Sequence, residues 1–182
     1  MKVTRLAIPD VCLIEPRVFG DARGYFLATW QDDVFRRDVA DVQFIQDNHS
    51  SSVSGTLRGL HYQSRHTQGK LVRCTVGKVW DVVVDVRRSS PTFGHWVAAE
   101  LSEENHHQLW VPAGFAHGFV VLSDRADLQY KVTDQYDPIS ERTLLWNDPG
   151  VGITWPLPAG VTPVMSEKDL AGVPLSQLEP LP

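Results

Sequence analysis

Alternation of apolar and polar positions is the most regular feature of the chain. It runs through VQFIQD (Val42–Asp47), GTLRGLHYQ (Gly55–Gln63), KLVRCTVG (Lys70–Gly77), KVWDVVVDV (Lys78–Val86) and HWVAAELS (His95–Ser102). It continues through HQLWVP (His107–Pro112), HGFVVL (His117–Leu122), ADLQYKVT (Ala126–Thr133) and RTLLWN (Arg142–Asn147). Each segment is short, rich in β-branched or aromatic residues and bounded by Gly, Pro, Asn, Asp or Ser, which predicts strands. No helical pattern separates them, so the expected class is mainly β, an antiparallel barrel or sandwich rather than a βαβ fold. One short N-terminal helix is predicted in WQDDVFRRDVADV, with Asp32 or Asp33 as cap and Val34, Phe35 and Val39 at helical spacing. From Trp155 the chain becomes rich in Pro and Gly, which predicts an irregular C-terminal tail over the barrel surface. That tail carries a charged island, SEKDL (Ser166–Leu170). Neither repeat nor linker is evident, and a single domain over 1–182 is expected.

Composition narrows the function classes. A chain of 182 residues, 42% hydrophobic and 21% charged, has the material for a substantial core. Its formal charge of -5 offers no basic field to nucleic acid or to an anionic membrane, while a few local Arg and Lys can still bind a small anion. Cys12 and Cys74 form no CxxC pair and lie in apolar surroundings, so reduced buried thiols are expected. The N-terminus MKVTRLAIPDVCLIEP lacks the apolar run of roughly 7–15 residues of a signal peptide. No window reaches the roughly 18 apolar residues of a membrane span. A cytoplasmic location is expected.

The histidines raise the question of a metal. Pro112 to His117 resembles the second motif of the cupin barrels, PxGxxH, but the first motif's His-x-His reads His61-Tyr62-Gln63. Two imidazoles without a third or a carboxylate make a poor ligand set for zinc or non-haem iron. His106 and His107 are adjacent and would point to opposite faces of a strand. The expectation is therefore a barrel without a metal, its mouth open to a small molecule, with His61 and His117 free for proton chemistry or hydrogen bonding.

A longer series of motifs is more specific. FGDARGYF (Phe19–Phe26), QDNHS (Gln46–Ser50), LRGLHYQ (Leu57–Gln63), QGKLVR (Gln68–Arg73) and SPTFG (Ser90–Gly94) are followed by WVPAGFAHGF (Trp110–Phe119), YKVTDQYDP (Tyr130–Pro138), WNDP (Trp146–Pro149) and SEKD (Ser166–Asp169). In this order, and almost from end to end, the chain resembles the dTDP-4-dehydrorhamnose 3,5-epimerases, metal-free cupins of deoxysugar-nucleotide biosynthesis. The resemblance implies a cupin-type antiparallel barrel or jelly roll. It implies inversion of C3 and C5 of dTDP-4-dehydro-6-deoxy-D-glucose to dTDP-4-dehydro-L-rhamnose by deprotonation and reprotonation through enolates. Such a reaction moves protons only, so no cofactor is expected, and no GxGxxG follows a strand.

What such a reaction needs is a base, a group to steady the enolate oxygen and an acid across the ring. The resemblance implies His61 as base with Asp169 as its orienter, which gives the SEKDL island a purpose. It implies Lys70 as enolate stabiliser, His117 as a further hydrogen bond near that oxygen, and Tyr130 as acid. Tyr130 shares a strand face with Leu128 and Val132. Arg58 and Arg23 are implied as pyrophosphate ligands, guanidinium forks suiting phosphate oxygens. Arg58 and His61 stand at an odd spacing, on opposite faces of an ideal strand, unless Gly59 marks a bulge. Gln46 and Asn48 have amides to read thymine edges, Tyr136 and Phe26 are aromatic candidates for stacking, and Glu141 and Lys168 correspond to positions near the ligand.

One departure stands out. The family usually reads RGxFxE where this chain reads RGYFLA, so Ala28 replaces an expected glutamate. One acceptor for the nucleotide is lost, worth roughly 0.5–1.5 kcal/mol, while the proton-transfer set is intact. The resemblance also implies a homodimer, with N-terminal strands such as LAIPDVCLIEP adding to a partner's sheet. Two alternatives stay open: an enzyme inverting only C3 or only C5 with the same residues, and a non-catalytic sugar-nucleotide-binding cupin.

Overall fold

In the computed structural model, which describes residues 1–182 other than 159, 180 and 182, the alternating segments are strands. In chain order they are β1 (Lys2–Arg5), β2 (Cys12–Glu15), β3 (Val18–Asp21), β4 (Gly24–Leu27), β5 (Gln46–Val53), β6 (Leu57–Gln63) and β7 (Lys70–Val76). There follow β8 (Lys78–Asp85), β9 (Trp96–Ser102), β10 (Gln108–Val111), β11 (Phe115–Val121), β12 (Arg125–Val132) and β13 (Glu141–Thr143). Helix α1 (Asp32–Asp38) precedes β5, and a one-turn helix α2 (Glu167–Leu170) lies in the tail.

The strands form a six-stranded sheet, β1-β2-β10-β7-β12-β5, a five-stranded sheet, β13-β6-β11-β8-β9, and the hairpin β3-β4. Their pairings are antiparallel. This is the mainly β, jelly-roll architecture expected, built as two facing sheets.

Three apolar layers hold it together. Between the sheets, Val72, Leu109, Val111 and Leu128 of one meet Val83, Leu101, Phe115 and Phe119 of the other. Burying each such side chain contributes roughly 1.5–3 kcal/mol. The far side of the five-stranded sheet presents Leu60, Tyr62, Val82, Val84 and Ala116, which Val151 and, from the tail, Leu178 and Leu181 cover. Helix α1 covers the six-stranded sheet, seating Phe35 on Cys12, Ile14, Leu71 and Trp110. KVWDVVVDV reads as a nearly continuous apolar run because β8 is central and has both faces covered.

Several boundaries differ from the expected ones. The segment VQFIQD becomes strand only at Gln46, because Val42 and Phe44 are drawn into the α1 layer. RTLLWN ends as a strand at Thr143, and Leu144, still hydrogen-bonded to Leu60, also bridges to Val173 of the tail. The cap position of α1 is Gln31, without a side-chain cap bond, while Asp32 and Asp33 lie in the first turn, where the helix dipole favours their charge. The tail is an apolar covering rather than a loose wrap. In LAIPDVCLIEP the strand β2 is internal to its own chain's sheet, between β1 and β10, because Cys12 and Ile14 alternate into the α1 layer. It therefore has no edge to offer a partner; β1 has.

Cys12 and Cys74 are free and buried as expected. Burial pushes both thiols up, that of Cys74 to about 11. Among the described residues no helix is long and apolar enough to cross a membrane.

Candidate active site

Strand β6 sorts its residues by face. Leu60 and Tyr62 join the layer under the tail, while His61 is the register partner of His117 on β11. The odd spacing of Arg58 and His61 is resolved by the ladder. Arg58 stands opposite Phe119 and His61 opposite His117, so β6 carries one residue more than β11 in this interval. Phe119 belongs to the core between the sheets, and Arg58 therefore turns to the same side as His61. Only glycine suits position 59: its φ is +117°, and a Cβ there would lie 2.7 Å from Gly118 Cα.

The SEKDL island supplies the partner of His61. Ser166 caps α2, accepting from the Asp169 backbone N–H at 3.2 Å, and this turn aims Asp169 inward, where it is buried. His61 Nε2 donates to Asp169 Oδ1 at 2.6 Å, the Gly59 N–H reaches the same oxygen at 3.3 Å, and Ser166 Oγ donates to Oδ2 at 2.8 Å. Burial alone would raise the Asp169 carboxyl, but the bonds from His61 and Ser166 outweigh it and hold it below the usual range. With Nε2–H claimed, Nδ1 of His61 is the nitrogen left with a lone pair.

His61 lines a recess of about 120 Å³ together with Lys70, Phe115, Tyr130, Tyr136 and Glu141. Lys70 opens β7 and donates to the His61 carbonyl at 3.4 Å. It keeps some accessible surface through the recess, yet its enclosure draws the ammonium down to about 8, against the opposing pull of Asp81 and Glu141. It is still mainly charged at neutral pH. Tyr130 faces inward with Leu128, and burial pushes its phenol above the usual value, with Arg58 opposing. The recess thus holds a carboxylate-oriented imidazole, an ammonium and a protonated phenol. Together they can take a proton from a carbon beside a carbonyl and return one.

Comparison with known proteins agrees with that chemistry. A profile described as dTDP-4-dehydrorhamnose 3,5-epimerase matches residues 5–177. The chain belongs to this family. A Pseudomonas aeruginosa dTDP-4-dehydrorhamnose 3,5-epimerase is 58% identical over 173 residues, 94% of each chain. One from Neisseria gonorrhoeae is 54% identical over 98% of this chain, which spans only 54% of that relative's length. Among solved structures, a Legionella pneumophila dTDP-6-deoxy-D-glucose-3,5-epimerase in complex with dTDP-4-keto-L-rhamnose superposes with a TM-score of 0.94 at 46% identity, covering 98% of this chain and 94% of the other. A Streptomyces bikiniensis 3'-monoepimerase in complex with dTDP-quinovose superposes at 0.87 and 33% identity, over 94% and 86%.

The other residues expected from the family resemblance fall into two groups. Close to the recess, Tyr136 Oη donates to Glu141 Oε2 at 2.7 Å, and Lys168 pairs with the same carboxylate. Arg58 donates from Nε to Ser52 Oγ at 2.9 Å and from Nη2 to the Ser51 carbonyl at 3.2 Å. Gln46 and Asn48 stand opposite Val132 and Tyr130 on β5, so both share the phenol's face, joined by a 2.7 Å bond between their amides. Arg23 and Phe26 are the exceptions. They lie on the exposed β3-β4 hairpin, where Arg23 pairs with Asp21 at 2.6 Å and Phe26 is 70% exposed, and neither lines the recess within this chain. Among the described residues the short hairpin pairs only with itself and joins neither large sheet.

A larger recess of about 300 Å³, lined by Asp47, Arg73, Gln108, Gln129 and Lys131, reaches Tyr130 and Asn48 but holds none of His61, Lys70 or Glu141. His106 and His107 are not on a strand: His106, with φ of 55°, sets its ring at a tilt 4.6 Å from that of Tyr25 ahead of β10.

Sequence reasoning missed two residues. Gln63, at the position of a cupin metal ligand, clamps the loop that carries Tyr136. Its Nε2 donates to the carbonyls of His66 and Gln135 at 2.6 and 3.1 Å, and its Oε1 accepts from the Asp137 N–H at 3.0 Å. Asp81 lies 2.8 Å from His117 Nε2 and is completely buried. The signal for it was a carboxylate in the middle of KVWDVVVDV, on the face of Val79 and Val83.

Proposed function

We propose that the chain, acting as one cytoplasmic domain in a homodimer, inverts C3 and C5 of dTDP-4-dehydro-6-deoxy-D-glucose to give dTDP-4-dehydro-L-rhamnose. The observation that carries this reading is the His61–Asp169 pair sharing one recess with the Lys70 ammonium and the Tyr130 phenol. Both carbons lie α to the C4 ketone, so each C–H is acidified by the same carbonyl. His61 Nδ1 takes the proton, and the imidazolium formed is balanced by Asp169 through Nε2–H. Lys70 donates to the oxygen on which the enolate's charge collects, and His117 is assigned a further hydrogen bond near it. Tyr130 returns a proton to the opposite face, and proton and charge counts close without an oxidant or reductant.

The nucleotide is assigned by chemistry and position. Arg58 takes the pyrophosphate, Gln46 and Asn48 the thymine edge, and Tyr136 the face of the base or sugar, its hydroxyl anchored by Glu141 and Lys168. Arg23 and Phe26 meet a ligand only if a second copy brings its hairpin over this recess. The hairpin's exposed Phe19, Tyr25 and Phe26 support the homodimer for that reason. The charge of -5 gives no support to a nucleic-acid or membrane partner.

Incubation with dTDP-4-dehydro-6-deoxy-D-glucose in D2O, followed by NMR, tests the reading. Deuterium at C3 and C5 with the L-rhamno product is expected, and His61→Asn should abolish both while dTDP still binds. Label and inversion at one carbon would place the chain with the mono-epimerases. No label at either carbon would refute catalysis on this substrate and favour a binding protein.

A further inference from the structure

Two Asp–His pairs meet at the β6-β11 ladder, and the aspartate of only one has a role so far. His61 and His117 are direct register partners, and each gives Nε2 to a carboxylate, of Asp169 on α2 and of Asp81 on β8. The two carboxylates are held very differently. Asp169 accepts bonds at both oxygens. Asp81 accepts only from His117, and its Oδ2 has no partner among the described residues.

A fully buried carboxylate with an idle oxygen opposes folding. Its neighbours on the same face, Val79 and Val83, are buried apolar residues of the central core. An aliphatic side chain at position 81 would simply continue that column. The charge therefore has to be explained by what it holds. Its influence reaches Lys70 as well as His117, for Asp81 is the strongest of the charges that resist the loss of the Lys70 proton.

We propose that Asp81 is the positioning residue of the oxyanion side of the site, fixing the His117 ring through Nε2 and acting as the counter-charge for the Lys70 ammonium. With Nε2–H turned to Asp81, His117 can donate to an enolate only from Nδ1, and only as an imidazolium. The Asp169 pair works the other way: its imidazole starts neutral and becomes charged when it takes the proton.

This assignment rests on the proposed epimerisation, and its test separates the two. The charges that act on Lys70 are those of Asp81 on β8, Glu141 on β13 and Lys168 on α2, and His61, Tyr130 and Tyr136 line the recess with it. Only Asp81 changes in the variant Asp81→Asn. The pH profile of kcat/KM for dTDP-4-dehydro-6-deoxy-D-glucose, and α-proton exchange in D2O, are to be measured for both proteins.

The expected result is an alkaline limb moved down by about one pH unit. Exchange and turnover should fall together by about 10–100-fold at pH 8, with a smaller loss at pH 6 and unchanged dTDP affinity. A merely structural role would lower the rate without moving the limb, and an unmoved limb overturns the proposal. Asp81→Ser, neutral and small enough to admit a water, repeats the test if the asparagine variant does not fold. Failure of both to fold would assign Asp81 to stability and overturn the proposal equally. If the unmodified protein neither exchanges nor inverts, it is the epimerase reading that fails.

Discussion

Replacing Asp85 by asparagine removes one charge from an enclosed site and changes almost no volume. Asp85 ends β8 opposite Phe115, a wall of the recess, and is completely buried. Its carboxylate accepts from the Arg87 N–H at 3.0 Å, from Arg87 Nε at 3.0 Å and from Arg87 Nη2 at 2.7 Å. Ser90 and Thr92 hydroxyls donate to it as well, each at 2.6 Å. Burial by itself would raise this carboxyl, but the five bonds prevail and it falls to about 2. A carboxyl that titrates near 3.8 when free and near 2 in the fold contributes about 2 kcal/mol of stability at neutral pH. Because the folded value is the lower one, that contribution is complete above the free value and is lost as pH falls through the folded one. Asparagine also turns N–H donors toward the Arg87 donors, so Asp85→Asn should cost about 2–4 kcal/mol at pH 7. Urea unfolding of both proteins at pH 7 and pH 3 measures this. The gap should shrink by about 1 kcal/mol at pH 3, where part of the ionic contribution has been titrated away. A gap that does not change with pH, or one below about 1 kcal/mol at pH 7, would refute the argument.

Other outcomes follow from the site. Tyr130→Phe should retain deuterium exchange at the α-carbons while product falls by about 10²–10⁴-fold; parallel loss of exchange and inversion would remove the phenol from the acid role. Ser166→Ala loses both the α2 cap and a donor to Asp169, so the docked turn weakens by about 1–2 kcal/mol. Its kcat should drop roughly tenfold at constant KM, with faster amide exchange over residues 166–171; wild-type kcat would show that His61 does not depend on that turn. In Gly59→Ala the added methyl meets Gly118 Cα and the His117 carbonyl oxygen, each at 2.7 Å, at a φ of +117°. A loss of about 2–4 kcal/mol is expected, read by thermal unfolding; near-wild-type stability would mean that the β6-β11 bulge is free to shift.

Much of this protein was legible one strand at a time. A β-strand exposes successive residues to opposite sides, so burial of either face is written locally as alternation, or as a continuous apolar run where both faces are covered. That is why the strands, the buried thiols and the face that Tyr130 shares with Leu128 and Val132 were legible in the sequence. What remained depends on partners distant in the chain. Arg58 and His61 share a side only because β6 carries an extra residue against β11, at the close approach of Gly59 and Gly118. Without its docking against β6, SEKDL is an ordinary charged turn; docked, it delivers Asp169 to His61 and Lys168 to Glu141. Asp81 gains a purpose only from His117, 36 positions away, which the fold places against it. Arg23 and Phe26 belong to a hairpin that its own chain leaves uncovered. Apolar periodicity records which side of a segment avoids water, and by itself it determined the class of fold. The chemistry depends on which charged group stands against which, a matter of register, bulges and tail docking, and only the tertiary structure decided that.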